Sequence, residues 1–247
     1  MNIRANECGN ALWFILLAVA LLGFLTAVVS RSGSTVDQAG DYEKNRISAS
    51  KIINTAKSFE TAIQQLQNNG CSENEISFEN PTVSGYTNTK SPTDKSCHLF
   101  HAAGAGLSYQ KPQTGWLDKS QSAQTRYREW ILSGTNYVVG VESGTDASGD
   151  ASASNKELLL ILPYVRSSLC IALNEMAGVT NPSSTPGRDA GNADITNKYV
   201  GSFGAGQHIE DTASGSDVFD GKPTGCFEGG GTPPNGTYHF YHVLIAR

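Results

Sequence analysis

Three groups of side chains in this 247-residue sequence have the types and spacing that chemistry asks for. Histidines come in two pairs three residues apart, His98 with His101 and His239 with His242. Such a pair ligates one metal ion on a helix, but neither segment reads as helical. On a strand His239 and His242 would point to opposite faces. We therefore expect ordinary surface and edge histidines and no metal. Next, Asp189-Ala-Gly-Asn192-Ala-Asp194 gathers three oxygen-bearing side chains in one loop. Calcium is one reading, yet the full acidic spacing and distal glutamate of an EF-hand are missing, so a solvated loop is preferred. Last come the cysteines. Cys71, Cys97, Cys170 and Cys226 form an even set with no paired C-x-x-C spacing for zinc. In an oxidising compartment they should make two disulfides, with three connectivities open. Sequence proximity favours Cys71–Cys97 and Cys170–Cys226.

Signatures of catalysis are lacking. There is no G-x-S-x-G elbow, H-E-x-x-H helix or Walker A loop. Gly104-Ala-Gly106 and Gly204-Ala-Gly206 fall short of a dinucleotide fingerprint, and Glu210-Asp211 is a common surface pairing. The chain is read as a non-enzyme without a cofactor. Its formal charge of −5 argues against nucleic-acid binding, since the basic group Arg126-Tyr-Arg128 is matched by Glu129. Tyr86, Tyr109, Trp116, Tyr127 and Trp130 would suit a ligand surface, but core packing explains them more simply. Asn235-Gly-Thr237 fits a glycosylation sequon and reads as a turn into the last strand.

What must position these residues begins with Ala11 to Val29, nineteen residues without a charge. As a helix this run is roughly 28 Å long, close to a hydrocarbon core of about 30 Å. Three readings compete: a signal peptide cut after Val28-Val29-Ser30, a permanent N-terminal anchor, and a third that depends on the residues before the run. The first is disfavoured by length, because signal h-regions run to about 15 residues. Beyond Val29, Gly33 and Gly40 weaken the helix, and a kink or brief break is expected near Gly33. It resumes with Ala49, Ile52, Ile53, Ala56, Phe59, Ile63 and Leu66 on one face. Asn68-Asn69-Gly70 ends it.

Met1 to Cys8 is a short polar leader closing on Gly9, followed at once by the apolar run and then the amphipathic one. This layout, over Arg4 to Gln67, resembles the type IV pilin and pseudopilin family. The resemblance implies cleavage after Gly9 by a prepilin peptidase, a mature chain starting at Asn10, and loss of Cys8 with the leader. It also implies a precursor held in a bacterial inner membrane, an exported domain in the periplasm, and self-association with like subunits at the cell surface. One position departs from the pattern. Family members usually carry a glutamate five residues into the mature chain, and Phe14 stands there.

The expected chain is thus an α+β protein. A leader (1–9), a membrane-spanning helix (10–30) and an amphipathic extension (31–69) precede an exported domain (70–247). The extension should pack on a small antiparallel sheet with disulfide-stapled loops. Strands are expected at Glu75–Glu79, Tyr137–Val141, Leu158–Leu162 and Thr237–Ala246, the second and third forming a hairpin with a long tip. A helix should open at Pro163 and stop at Gly178, and Val179 to Gly236 should be mostly irregular. Functionally the sequence reads as a pilus-like or pseudopilus subunit, the alternative being a membrane-anchored envelope or binding protein that does not assemble.

Overall fold

The computed structural model describes residues 10–141, 156–204, 207–211 and 218–247, and in its first helix the side chains of residues 13–28 and from 40 onward. The leader, with Gly9, and the hairpin tip near Gly149 lie outside the described residues. The chain divides into two compact units, Met1–Lys44 and Asn45–Arg247. Helix α1, Asn10–Asn68, contributes to both. Its hydrogen bonding runs unbroken through Gly33 and Gly40, so the expected break is absent. Two isolated glycines cost a long helix only about 1 kcal/mol each, which its cooperativity absorbs.

The membrane-spanning part of the expected fold is corrected. Among the described residues no helix is long and apolar enough to cross a membrane.

In the larger unit α1 presents the expected stripe. Ala49, Ile52, Ala56, Phe59, Ile63 and Leu66 are buried, at the three- and four-residue spacing of one helical face. The end of α1 is a Schellman cap. Gly70 N–H donates to Gln67 O (2.9 Å) and Cys71 N–H to Leu66 O (3.1 Å). Gly70 takes φ 96°, which an L side chain resists. Residues 71–130 then cross the apolar face mostly without regular structure. The strand expected at Glu75–Glu79 is instead a single 3-10 turn, Glu73–Glu75, and one isolated parallel bridge between Ser77 and His98. Ile76 and Phe78 are buried, but so is Ser77 between them, and among the described residues the pairing stops at that one bridge.

Five strands form the sheet: β1 Ile131–Val138, β2 Glu157–Val165, β3 Gln207–Ile209, β4 Thr224–Glu228 and β5 Tyr238–Ile245. Their order is β3-β1-β2-β5-β4. β1 and β2 pair antiparallel, as expected of the hairpin, and β5 lies inside the sheet between β2 and β4. The sheet is not wholly antiparallel, however. β3 runs parallel to β1, with Tyr137 opposite His208. The chain reaches β3 only after a second helix and a long loop, the kind of crossover that parallel pairing requires.

Both faces of the sheet are covered. Leu158, Leu160 and Leu162 join the core that holds α1, while Leu159 and Ile161 join a second core with Phe219, Phe227 and Tyr241. All nine residues of β2 are therefore buried. Pro163 lies within this strand and does not start a helix. It sits at the irregularity in β2–β5 pairing between Leu162 and Val165 and beyond the last β1 partner, where a missing N–H breaks no ladder bond. Tyr164 follows it at φ 61°, as a bulge allows.

Helix α2, Ser167–Ala177, starts four residues later than expected and ends on Gly178 in the left-handed conformation, φ 70°. Leu169 and Leu173 are buried, whereas Met176 is exposed. Two contacts fasten α2 to β4. Cys170 is bonded to Cys226, and the buried Asn174 brackets the same residue, donating to Cys226 O (2.8 Å) and accepting from Cys226 N (2.7 Å). The other disulfide joins Cys71 to Cys97. Both connect cysteines near in sequence. On the loop-entropy account each stabilises the fold by about 3–4 kcal/mol. The Cys170→Ala/Cys226→Ala chain should lose slightly more than Cys71→Ala/Cys97→Ala, because its closed loop is longer, 56 residues against 26. Urea unfolding of both double variants measures this, and an equal or reversed order would place the stabilisation elsewhere.

Candidate functional site

In the N-terminal unit the conspicuous feature is unburied apolar surface. Trp13, Phe14, Ile15, Leu16, Leu17, Val19 and their successors through Val28 are 42–71% exposed. Every described side chain from Trp13 to Val28 is exposed, so the surface encircles the helix and is not a stripe. Thr26, polar within it, turns its hydroxyl back to Leu22 O (3.0 Å) and Gly23 O (2.9 Å), which hides its donor from an apolar partner. Asn10, the expected mature N-terminus, is helical. Phe14 is 62% exposed.

In the larger unit the loop with Asp189, Asn192 and Asp194 stands beside β1 and β3. Asp189 is buried and accepts from the N–H groups of Ala193 (2.8 Å), Gly191 (3.2 Å) and Glu210 (3.4 Å). Burial pushes its carboxyl up to about 6 against the pull of those donors and of nearby His208. Asp194 accepts from Thr196 N (2.9 Å), Thr196 Oγ1 (2.8 Å) and Thr135 Oγ1 (3.0 Å), and also from the Asn197 amide. Despite its own burial these donors hold its carboxyl below the usual range. Asn192 sits at φ 57° between them. The carboxylates thus organise the loop through backbone N–H groups. Among the described residues no group of three His, Cys, Asp or Glu side chains could hold a metal. An open cleft of about 410 Å³ lies here, lined by Asn192, Asp194, Thr196, Asn197, Gln207 and Thr232 among others. It offers hydrogen-bonding groups from three separate stretches of chain.

The histidines do not converge. His239 is fully buried, between Tyr164 N (3.4 Å) and Thr237 Oγ1 (2.7 Å), and burial drives its pKa down to about 3. His242 points to the other face, to Glu60 Oε2 (3.1 Å) on α1 and to Thr224 Oγ1 (2.5 Å). His98 is buried and His101 exposed, their rings 6.3 Å apart. Glu210 meets His208 at 2.8 Å. The aromatic group is core. Tyr86, fully buried, donates to Trp130 O (3.0 Å) and accepts from Leu132 N (3.1 Å), tying residues 71–130 to β1. Tyr109 accepts from Trp130 N (3.1 Å), and burial pushes its hydroxyl up to about 12.

Gln207 and Thr232 were not singled out in the sequence. No local pattern marks them, because only the parallel β1–β3 pairing and the fold of the loops bring them beside Asn192. Family models, characterised proteins and solved structures return no match to this chain.

The raised carboxyl of Asp189 has a measurable sign. Its folded value of about 6 lies above an unfolded value of about 3.9, so its contribution is full below about pH 4 and is lost as pH rises through 6. The Asp189→Asn chain lacks that titration. Relative to the parent it should gain about 3 kcal/mol between about pH 4 and pH 7. Urea titrations at both pH values give the difference, and a constant gap would show that the buried carboxylate is already ionised at the lower pH.

Proposed function

We propose that this chain is a structural subunit of a type IV pilus-like or pseudopilus filament, cleaved after Gly9 by a prepilin peptidase and assembled through its N-terminal helix. One observation carries the reading: an apolar surface on all sides of the helix from Trp13 to Val28. Exposed apolar area of this extent is stabilised by burial at about 25 cal/mol per Å². A helix surrounded by copies of itself buries every side at once, whereas a single docking partner covers only one.

The larger unit suits display outside such a core. Its two disulfides fit an oxidising compartment, in keeping with export. The loops between α2 and β5, with their cleft, would form the outward surface of the subunit and set its contacts. The replacement at Phe14 changes how copies find their register. A glutamate would pair with the amino terminus of a neighbour, while a phenyl ring aligns copies by shape and aromatic packing.

The test joins processing to assembly. Intact mass of the chain from sheared surface fractions should give a mature start at Asn10. Leu17→Glu/Leu21→Glu, which places two carboxylates on one face of the helix, should abolish sedimentation with filaments. The thermal transition of the Asn45–Arg247 unit should be unchanged. A surface chain that begins at Met1, or filaments that tolerate both glutamates, would overturn the proposal.

A further inference from the structure

The Asn45–Arg247 unit carries a second open cleft, of about 440 Å³, where α1 borders the segment from Gln110 to Trp116. Two buried indoles, Trp116 and Trp130, lie at its floor. Trp130 is buried and donates its ring N–H to Gln110 O (3.0 Å), which pins that segment in place. Trp116 stands edge-to-face against it, ring centroids 6.4 Å apart. Phe59 of α1 supports Trp130 from behind at 6.2 Å. The floor is thus fixed by the core.

The rim is polar and carries positive charge. Helix α1 supplies Lys51 and Asn54, and the facing segment supplies Gln110, Lys111 and Gln113. Thr55, also at the cleft, turns its hydroxyl back to Lys51 O (2.8 Å). Among the described residues neither Lys51 nor Lys111 enters an ion pair. Elsewhere Lys198 meets Glu129 at 2.8 Å and Lys44 meets Asp41 at 3.3 Å. In a chain of net charge −5, two uncompensated ammonium groups at one cleft form a local positive site.

We propose that this cleft binds an acidic saccharide, its carboxylate held between Lys51 and Lys111. The three carboxamides each offer a donor and an acceptor, which matches the dual character of sugar hydroxyls. Lysine suits this task because its ammonium is a point charge that tolerates varied carboxylate orientations. The volume lies within the range of small-ligand sites, about 300–1,000 Å³. This site uses residues of α1 beyond the apolar stretch Trp13 to Val28 and does not depend on filament assembly.

Calorimetric titration of the full chain in mild detergent tests it, with the galacturonic acid disaccharide as probe. The neutral galactose disaccharide and sodium sulfate serve as comparisons. The acidic disaccharide should bind and change tryptophan fluorescence, with the neutral one about tenfold weaker or worse, a loss of one charge contact. Lys51→Gln and Lys111→Gln should each weaken binding about tenfold, and Gln113→Ala should weaken it less, with circular dichroism unchanged in all three. Absence of binding, equal affinity for the neutral sugar, or indifference to both lysine substitutions would each overturn the proposal. Sulfate binding as tight as the disaccharide would also overturn it, by reducing the cleft to a simple anion site.

Discussion

The structure depends on one constraint, the burial of β2 on both faces. A strand with nine consecutive buried residues needs an apolar cover above and below the sheet. The lower half of α1 belongs to one cover, with Phe59, Ile63 and Leu66 in the same core as Leu158, Leu160 and Leu162. The other cover is made by loops, through Val179, Ala193, Ile195 and Phe219. Loops are poor covers, since their backbone polar groups also need partners. That explains the density of side-chain brackets here. Asp189, Asp194 and Asn174 all satisfy backbone groups, and Asn136 does the same by exchanging bonds with Asp194 N (2.7 Å) and O (2.8 Å).

Much of this architecture was legible where period and chemistry agree. The stripe from Ala49 to Leu66, the stop at Gly70, the stop at Gly178 and the terminal strand follow from local pattern. The opposed directions of His239 and His242 follow from strand alternation alone. The sequence was misleading where tertiary contacts override local preference. Pro163 looked like a first-turn helix residue, yet a bulge in a central strand also tolerates it. β1 begins at Ile131, six residues ahead of the strand expected at Tyr137–Val141, and takes in the Ser133-Gly-Thr-Asn136 stretch. In the fold that stretch is an irregularity in the β1–β2 pairing, and Gly134 leaves room for the Tyr199 ring, 2.7 Å from where a Cβ would stand. β4 hides among the glycines and prolines of a region that looked irregular.

The candidate sites divide in the same way. The apolar helix surface could be read residue by residue, because it depends only on side-chain type. The loop with Asp189 and Asp194 was visible as a group of oxygens, but their orientation toward backbone N–H groups is a tertiary fact. The lysine cleft joins α1 to a segment some sixty positions onward in sequence, and it had no signature there. Helix α1 therefore has two characters in one element. It is apolar all round in its first part and amphipathic in its second, where its buried face joins the domain core.

The two disulfides also bear on how the larger unit would behave under mechanical load. Each closes a covalent ring in the chain, spanning 26 and 56 residues. A pull between the ends of the unit cannot lengthen the chain enclosed by either ring, even after every hydrogen bond has failed. At the reach of an extended chain this withholds roughly 280 Å of contour. The first ring starts at Cys71, one residue past the glycine that caps α1. A force arriving along that helix would therefore meet a cross-link at once, and the chain inside the two rings would stay out of its reach for as long as the surroundings stayed oxidising.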